Sequence, residues 1–175
     1  MSDFKIRILS AEEVAAATAD LGAILADCVH GGSSVNFLLP YSAADGARFF
    51  EKTARQVAAG EIILLAATMN GVIEGTVQLG LAQPPNQQHR ADVKKLLVHR
   101  RARGKGIGAA LMREIEALAR REKRTLLCLD TSKGSSGDRL YGRLGWTLLG
   151  IVPRFAHDPH GTLEDCCFYW KEVAP

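Results

Sequence analysis

The sequence predicts an α/β (α+β) domain in which helices flank a mixed β-sheet. Apolar runs with the alternation typical of strands dominate the middle of the chain, and amphipathic helical segments lie between them. The dipeptide Asn70-Gly71 joins two such runs and supplies the positive φ angles of a tight hairpin turn. Since 47% of the 175 residues are hydrophobic and no repeat or linker interrupts them, we expect residues 1–175 to form a single domain.

The N-terminal third of the sequence is typical of one strand followed by two helices. Residues 4–9 alternate apolar and polar side chains, and a capping pattern then predicts a helix over residues 11–29. The glycines and serines of residues 30–34 end this helix. A second helix is predicted to run from about residue 42 to Ala59.

The remaining elements alternate strands with helices. The hairpin comprises residues 61–68 and 72–79, and residues 90–98 form the next strand. The later elements are a helix ending near Glu122, a buried strand over 125–129, a helix over 136–144, and strands over 146–151 and 165–171. A long loop containing Pro153 and Pro159 is expected between the last two strands.

The segment spanning residues 98–108 carries the clearest indication of ligand binding. It lies where a strand ends and an amphipathic helix begins, so unpaired backbone N–H groups are expected to point outward. Three glycines let a ligand approach the backbone, and the helix N-terminus together with Arg103 and Lys105 favours an anion. A pyrophosphate meets these demands. The simpler alternative is a glycine-rich helix cap with a solvated basic flank.

Other interpretations of this basic segment fit poorly. A P-loop needs a lysine followed by serine or threonine, whereas Lys105 is followed by glycine, and the dinucleotide fingerprint requires an acidic residue roughly 20 residues later at a strand end. The net charge is only +3, aromatic residues make up 6% of the chain, and none of them interleaves with the basic side chains. We therefore expect no nucleic-acid partner.

Two motifs in a fixed order resemble the GNAT N-acetyltransferases. Arg101-x-x-Gly104-x-Gly106 matches that family's Gln/Arg-x-x-Gly-x-Gly/Ala pattern directly after a strand. Residues 140–146 (LYGRLGW) are similar to its tyrosine helix and the aromatic-led strand that follows. The resemblance extends over the element order from Phe4 to Lys171. It implies a mostly antiparallel sheet that splays between its fourth and fifth strands, residues 90–98 and 125–129, with acetyl-CoA in the gap.

The resemblance also implies which residues contact acetyl-CoA. The glycine segment would bind the pyrophosphate, and a backbone N–H near Val98, freed where the strand bulges or splays, would polarise the thioester carbonyl. The cofactor-binding residues expected on this basis are Leu97, Val98, Arg103, Gly104, Lys105, Gly106, Ile107, Gly108, Thr131 and Tyr141.

Acetyl transfer requires a neutral amine and a proton for the leaving thiolate. The Tyr141 hydroxyl is our candidate proton donor to sulfur, unless its ring is only a core aromatic. Asp130, at the end of a buried strand, is our first candidate base, and the alternative is that it caps the turn at residues 131–132. Glu74, Asp92 or a water relay stay open as replacements for Asp130.

A narrower resemblance concerns the acceptor. Residues 29–35 (VHGGSSV), residues 85–86 with 90–96 (PN and RADVKKL), and residues 129–131 (LDT) are similar to the tabtoxin-resistance acetyltransferases, which acetylate a β-lactam amino-acid toxin. The similarity implies a small amine or amino-acid-like acceptor and a role in toxin resistance. The acceptor-binding residues expected here can form hydrogen bonds with a compact zwitterion, and they are His30, Ser33, Ser34, Asn36 and Asp92.

Several other properties follow from what the sequence lacks. The four cysteines have no C-x-x-C spacing and the histidines are scattered, so we expect free thiols and no metal site. No apolar run approaches the roughly 20 residues that cross a bilayer, and the N-terminus lacks an apolar signal core. We therefore expect a cytoplasmic protein without a membrane partner. The sequence leaves open whether the protein forms a homodimer. It also leaves open two other functions, a protein N-terminal or lysine acetyltransferase and a catalytically silent acyl-CoA-binding module.

Overall fold

A seven-stranded sheet with helices on both faces forms the part of the chain that the structure describes. This computed structural model covers residues 4–174, so residues 1–3 and 175 of the expected domain lie outside the described range. In chain order the elements are β1 (Phe4–Leu9), α1 (Ala11–Ala16), α2 (Thr18–His30), α3 (Ala43–Ala58), β2 (Ile62–Met69), β3 (Val72–Leu81), β4 (Arg90–Val98), α4 (Ile107–Arg121), β5 (Leu126–Ser132), α5 (Ser136–Arg143), β6 (Thr147–His157) and β7 (Leu163–Glu172).

The sheet has the order β1-β2-β3-β4-β5-β7-β6. Every neighbouring pair is antiparallel except β4 and β5, which are parallel and joined only between Arg90–Asp92 and Leu126–Cys128. Beyond these pairs the two strands diverge, although β4 continues to Val98 and β5 to Ser132. The predicted mixed, mostly antiparallel sheet that splays between its fourth and fifth strands is confirmed.

Each face of the sheet has its own hydrophobic core. Successive residues of β2 point to opposite faces, so that Leu65 packs with α4 and Leu64 packs with α1, α2 and α3. The α4 contact uses the apolar stripe expected from the sequence, whose members are buried: Ile107, Leu111, Ile115 and Leu118. Between residues 4 and 174, no helix is long and apolar enough to cross a membrane.

A buried ion pair connects α4 to the C-terminal strands. Glu116 accepts hydrogen bonds from Lys171 Nζ at 2.9 Å through both carboxylate oxygens and from Trp146 Nε1 at 3.0 Å. Lys171 Nζ also donates to the carbonyl oxygen of Leu144, the residue that caps α5, at 2.8 Å. Since the buried charges and the indole N–H have partners, the network offsets their desolvation. It fixes the end of α5 relative to α4.

Three element boundaries differ by several residues from those predicted. The strand expected to end at Leu129 continues to Ser132, so the predicted turn at residues 131–132 is wrong and Asp130 lies within β5. The helix expected over residues 11–29 is interrupted at Ala17, whose backbone closes α1 and precedes α2. The strand expected to end at Ile151 continues past Pro153 to His157, so the predicted loop is wrong over that stretch. Because β6 is the outermost strand, one of its edges pairs with no other strand. A proline, which lacks a backbone N–H donor, is therefore tolerated there.

Helices α2 and α3 cross at a pair of glycines. A Cβ atom at Gly46 would lie 2.4 Å from the carbonyl oxygen of Gly22, and one at Gly22 would lie 2.4 Å from the backbone nitrogen of Ala47. Real Cβ atoms do not approach backbone this closely, so only glycine permits this crossing. The crossing sets the position of the loop that joins the two helices.

We expect Gly46→Ala to lower the free energy of unfolding by about 1–3 kcal/mol, because the added methyl group meets backbone that cannot rotate away. Urea unfolding monitored by circular dichroism measures this change. Gly142→Ala in α5 is the matched control, since a Cβ there meets nothing within 4 Å and alanine favours a helix. Equal stability of Gly46→Ala and the unchanged protein would contradict the crossing.

Candidate active site

The divergence of β4 and β5 opens a cleft of about 1260 Å³ through the middle of the sheet. Its walls come from β4, β5, the N-terminus of α4, α5 and the loop between α2 and α3. The residues proposed from the sequence that line it are Ser33, Ser34, Asn36, Asp92, Val98, Arg103, Gly104, Gly106, Ile107, Gly108, Asp130, Thr131 and Tyr141. Of the residues proposed for this site, His30, Leu97, Lys105 and the reserve base Glu74 do not line the cleft.

The glycine segment presents backbone to one end of the cleft. Gly104 and Gly106 have φ angles of 79° and 81°, a region that costs other residues strain, and Gly106 is the N-cap of α4. A Cβ atom at either glycine would meet nothing within 4 Å, so the space beside this backbone is open. The first N–H groups of α4 have no partner within the helix. This cradle fits a pyrophosphate, as the sequence suggested.

Two arginines hold the glycine segment against the body of the protein. Asp27 of α2 accepts from the backbone N–H of Arg100 at 2.8 Å and from its Nε at 2.9 Å. Arg101 Nε donates to both oxygens of the buried Glu74 at 2.9 and 3.0 Å. Burial would raise the pKa of Asp27, but the hydrogen bonds from Arg100 outweigh it and the pKa is lowered. Arg100 and Arg101 therefore position the glycine segment, and their Nε groups already have carboxylate partners within the protein.

The two remaining basic side chains of the segment point in different directions. Arg103 Nε donates to the carbonyl oxygen of Val98 at 3.2 Å, and Arg103 lines the cleft. Lys105 Nζ lies 3.7 Å from the sulfur of Met69 on β2, outside the cleft lining. Attraction of an anion in this conformation therefore rests on the backbone and Arg103 more than on Lys105.

Strand β4 contains a bulge beside the cleft. Thr76 of β3 pairs with Leu97 and Gln78 pairs with Lys94, so β4 has one residue more than β3 between these pairs. Lys95 has a φ angle of 50° within the bulge. The resemblance led us to expect a freed backbone N–H near Val98, and the irregularity lies just before it. Leu97 is buried beneath this stretch.

Tyr141 occupies the wall formed by α5. Its ring lies 6.1 Å from that of Trp146 and 6.0 Å from that of Tyr169, and only 7% of the residue is exposed. Within residues 4–174 its hydroxyl makes no hydrogen bond, yet Tyr141 lines the cleft. Burial and, to a smaller extent, the charge of Asp130 raise the pKa of Tyr141, so the hydroxyl keeps its proton at neutral pH.

Asp130 lies at the cleft and differs from the other two candidate bases. Within residues 4–174 it forms no ion pair, and its Oδ2 accepts a weak hydrogen bond from Cys166 Sγ at 3.5 Å. Glu74 is buried and paired with Arg101, while Asp92 is paired with Arg90. Asp130 is therefore the carboxylate of the three that no cation of the described chain neutralises.

The loop between α2 and α3 closes one end of the cleft. Ser34 Oγ donates to the carbonyl oxygen of His157 at 3.4 Å, and the backbone N–H of Leu39 donates to the carbonyl oxygen of Pro159 at 2.8 Å. The loop is thus attached to the hairpin between β6 and β7. His30 faces away, with Nε2 2.7 Å from the carbonyl oxygen of Tyr41.

The sequence interpretation missed Lys95, which lines the cleft from the β4 bulge. Regular alternation along the strand would place the side chains of Lys94 and Lys95 on opposite faces of the sheet, and no local sequence pattern predicts the bulge. The four cysteines are free, and burial with the neighbouring Asp130 raises the pKa of Cys166 to about 12. No group of three His, Cys, Asp or Glu side chains between residues 4 and 174 could hold a metal ion.

Several solved structures are similar to the whole chain. An N-acetyltransferase from Staphylococcus aureus Mu50 has a TM-score of 0.78 and 20% identity, covering 98% of this chain and 99% of its own. A ribosomal-protein-alanine N-acetyltransferase from Brucella melitensis has a TM-score of 0.78 and 22% identity, with coverages of 97% and 99%. The structure of yncA from Salmonella typhimurium, solved with its cofactor acetyl-CoA, has a TM-score of 0.77 and 20% identity, covering 98% of this chain and 95% of its own. At such identities the likeness shows a shared fold.

A family match covers the region that builds the cleft. Residues 59–148 match the acetyltransferase (GNAT) domain, and this range runs from the end of α3 to the beginning of β6. It includes both splayed strands, the glycine segment and α5. The chain therefore belongs to the GNAT acetyltransferase family, and it is an enzyme that transfers an acetyl group from acetyl-CoA.

Proposed function

We propose that this enzyme acetylates the amine of a small, amino-acid-like acceptor. The observation that carries the proposal is the attachment of the α2–α3 loop to the β6–β7 hairpin, through Ser34 with His157 and Leu39 with Pro159. This contact covers the cleft next to Asp130, where an extended peptide would need an open channel. β-Lactam amino-acid toxins of the tabtoxin type belong to the proposed class, and toxin resistance is the corresponding role.

Acetyl-CoA supplies the activated acyl group, and the cleft has residues suited to bind it. The backbone from Gly104 to Gly108 would hold the pyrophosphate, assisted by Arg103 and the dipole of α4. Val98 and Thr131, on the two diverging strands, would border the arm that reaches toward Tyr141. Leu97 would support this wall from the core.

The chain's own groups can manage the protons of the reaction. A carbon–nitrogen bond forms at the acceptor amine while the carbon–sulfur bond breaks. Asp130 would hold the ammonium form and receive its proton, directly or through water. Tyr141 would donate its proton to the departing sulfur, since burial keeps the hydroxyl protonated until the thiolate forms. The second proton that the acceptor nitrogen loses would return to Tyr141 through water, so that the protons balance. Glu74 and Asp92 suit the base role less because arginines already pair with them.

An acetyltransferase of protein N-termini is the second candidate. The observation in its favour is the fold shared with the ribosomal-protein-alanine N-acetyltransferase of Brucella melitensis. A silent acyl-CoA-binding module would bind the cofactor without turnover of any amine. We also propose that residues 1–175 form a single domain, that the protein is cytoplasmic and that it forms a homodimer. Light scattering of the purified chain measures whether it is a dimer.

We expect Gly106→Glu to abolish acetyl-CoA binding measured by isothermal titration calorimetry. The new side chain and its charge would occupy the space proposed for the pyrophosphate. Gly60→Glu is the matched control, because Gly60 also has a positive φ angle, 70°, and nothing within 4 Å of a Cβ atom. It should bind normally and unfold at a similar urea concentration. Normal binding by Gly106→Glu would remove the phosphate role from this loop.

Tyr141→Phe should bind acetyl-CoA normally but lower kcat by about 10²-fold, the usual scale for a positioned general acid. Asp130→Asn should lower kcat as well, because an amide cannot accept the proton of the acceptor ammonium. Stopped assays of CoA release measure both effects. A nearly normal kcat for Tyr141→Phe would leave its ring as a core aromatic, and a nearly normal kcat for Asp130→Asn would transfer the base role elsewhere.

A competition assay tests the acceptor class. Free amino acids, β-lactam dipeptides and peptides with ribosomal-protein N-termini are offered at equal concentration, and we expect the small acceptors to be acetylated. Ser33→Ala and Asn36→Gly should raise their KM without changing the KM for acetyl-CoA. Glycine is used at position 36 because Asn36 has a φ angle of 73°. Acetylation of the peptides alone would overturn the small-acceptor proposal.

A further inference from the structure

We propose that Lys95 binds an anionic group of the acceptor, so that the enzyme selects amines that also carry a carboxylate. This inference rests on the proposed function, because it assigns a partner to one part of the acceptor cleft. It assigns a specificity-determining role to Lys95, a residue of the segment RADVKKL (residues 90–96) for which the sequence alone predicted no role.

The backbone directs Lys95 into the cleft. The β4 bulge breaks the alternation of side chains at this point, so that Lys94, Lys95 and Leu96 all line the cleft. Lys95 has a φ angle of 50°, which is unfavourable for a residue with a long side chain. A conformation of this kind persists only where the surrounding structure enforces it. The strain is concentrated at the place where Lys95 meets the cleft.

The ammonium group of Lys95 lies beside two aromatic rings. Nζ lies 5.6 Å from the ring centre of Phe37 and 5.8 Å from that of Phe49, both within the range of cation–π contacts. Within residues 4–174, no carboxylate lies close enough to form an ion pair with it. Burial lowers the pKa of Lys95, and the charge of Asp130 opposes that shift. A largely buried cation is thus held at the cleft, where a ligand can supply an anion.

Charges of opposite sign therefore border the acceptor end of the cleft. Asp130 lies at the end of β5, and Lys95 lies on the facing strand β4. They do not form an ion pair with each other, so each retains capacity for a ligand group. A zwitterionic amino acid matches both, with its amine at Asp130 beside Tyr141 and its carboxylate at Lys95. An uncharged amine or a peptide N-terminus would leave Lys95 without an anion.

The first test compares free L-amino acids with their carboxamides, which differ only in the carboxylate. We expect Lys95→Met to raise KM by about 10- to 100-fold for the amino acids and to leave the carboxamides nearly unchanged, because one charge-assisted contact is lost. Methionine keeps an unbranched apolar side chain beside Phe37 and Phe49 but removes the charge. Lys95→Arg should restore most of the selectivity. Lys52→Met, which removes an exposed lysine of α3, controls for net charge.

The results separate this inference from the proposed function. Equal losses of turnover on amino acids and carboxamides would show that Lys95 acts on the amine or on the fold, and would overturn the anion subsite. Turnover of carboxamides in preference to amino acids by the unchanged enzyme would overturn it as well. Acetylation of peptides alone would refute the proposed acceptor class together with the subsite.

A binding measurement tests the anion subsite at Lys95 independently of turnover. N-acetyl-amino acids carry the carboxylate but no reactive amine, and they are titrated into the protein saturated with CoA. We expect binding to weaken by about 10-fold or more in Lys95→Met and to be retained in Lys95→Arg. Equal affinities of the unchanged protein and Lys95→Met would overturn the anion subsite even if acetyl transfer to small amines is established.

Discussion

The shape of the active site depends on how briefly β4 and β5 are paired. Their parallel ladder holds together only Arg90–Asp92 and Leu126–Cys128, and the backbone of His89 reinforces this end by accepting from the N–H groups of Thr125 and Leu126 at 2.8 and 3.1 Å. Beyond the ladder, the bulge in β4 increases local twist and turns that strand away. The gap is thus closed at one end and open at the other. It reaches the interior of the sheet, where core residues such as Ile107, Leu129 and Tyr141 form part of its lining.

The two sides of this gap need a rigid connection, because the glycine segment and Tyr141 belong to different helices. The buried Glu116 of α4 supplies it by accepting from Lys171 and Trp146, and Lys171 also holds the carbonyl oxygen at the end of α5. Removing one partner of such a pair leaves an uncompensated buried charge, which costs several kcal/mol. A substitution at Glu116 would therefore affect both stability and the placement of Tyr141, far from any contact with substrate.

The sequence predicts features that depend on neighbouring residues, but it does not predict features that depend on contacts between distant segments. The Asn70-Gly71 hairpin, the strand over residues 90–98 and the glycine segment follow from turn propensity, alternation and unpaired N–H groups, and the structure contains each of them. The continuation of β6 past Pro153 depends on its outer place in the sheet. The direction of Lys105 toward Met69 depends on a strand remote in sequence. Such outcomes belong to tertiary packing, which a single local pattern does not encode.

Backbone strain also occurs beside the cleft. Among the described residues, five other than glycine have positive φ angles, and two of these line the cleft: Asn36 in the α2–α3 loop and Lys95 in the β4 bulge. Each such residue costs on the order of 1 kcal/mol, and glycine would avoid that cost. A side chain held in a strained conformation needs support from the surrounding structure, which fixes its position at the cleft wall. Under the proposed function, these two irregular segments, more than the regular sheet, are where the selectivity of this enzyme is expected to reside.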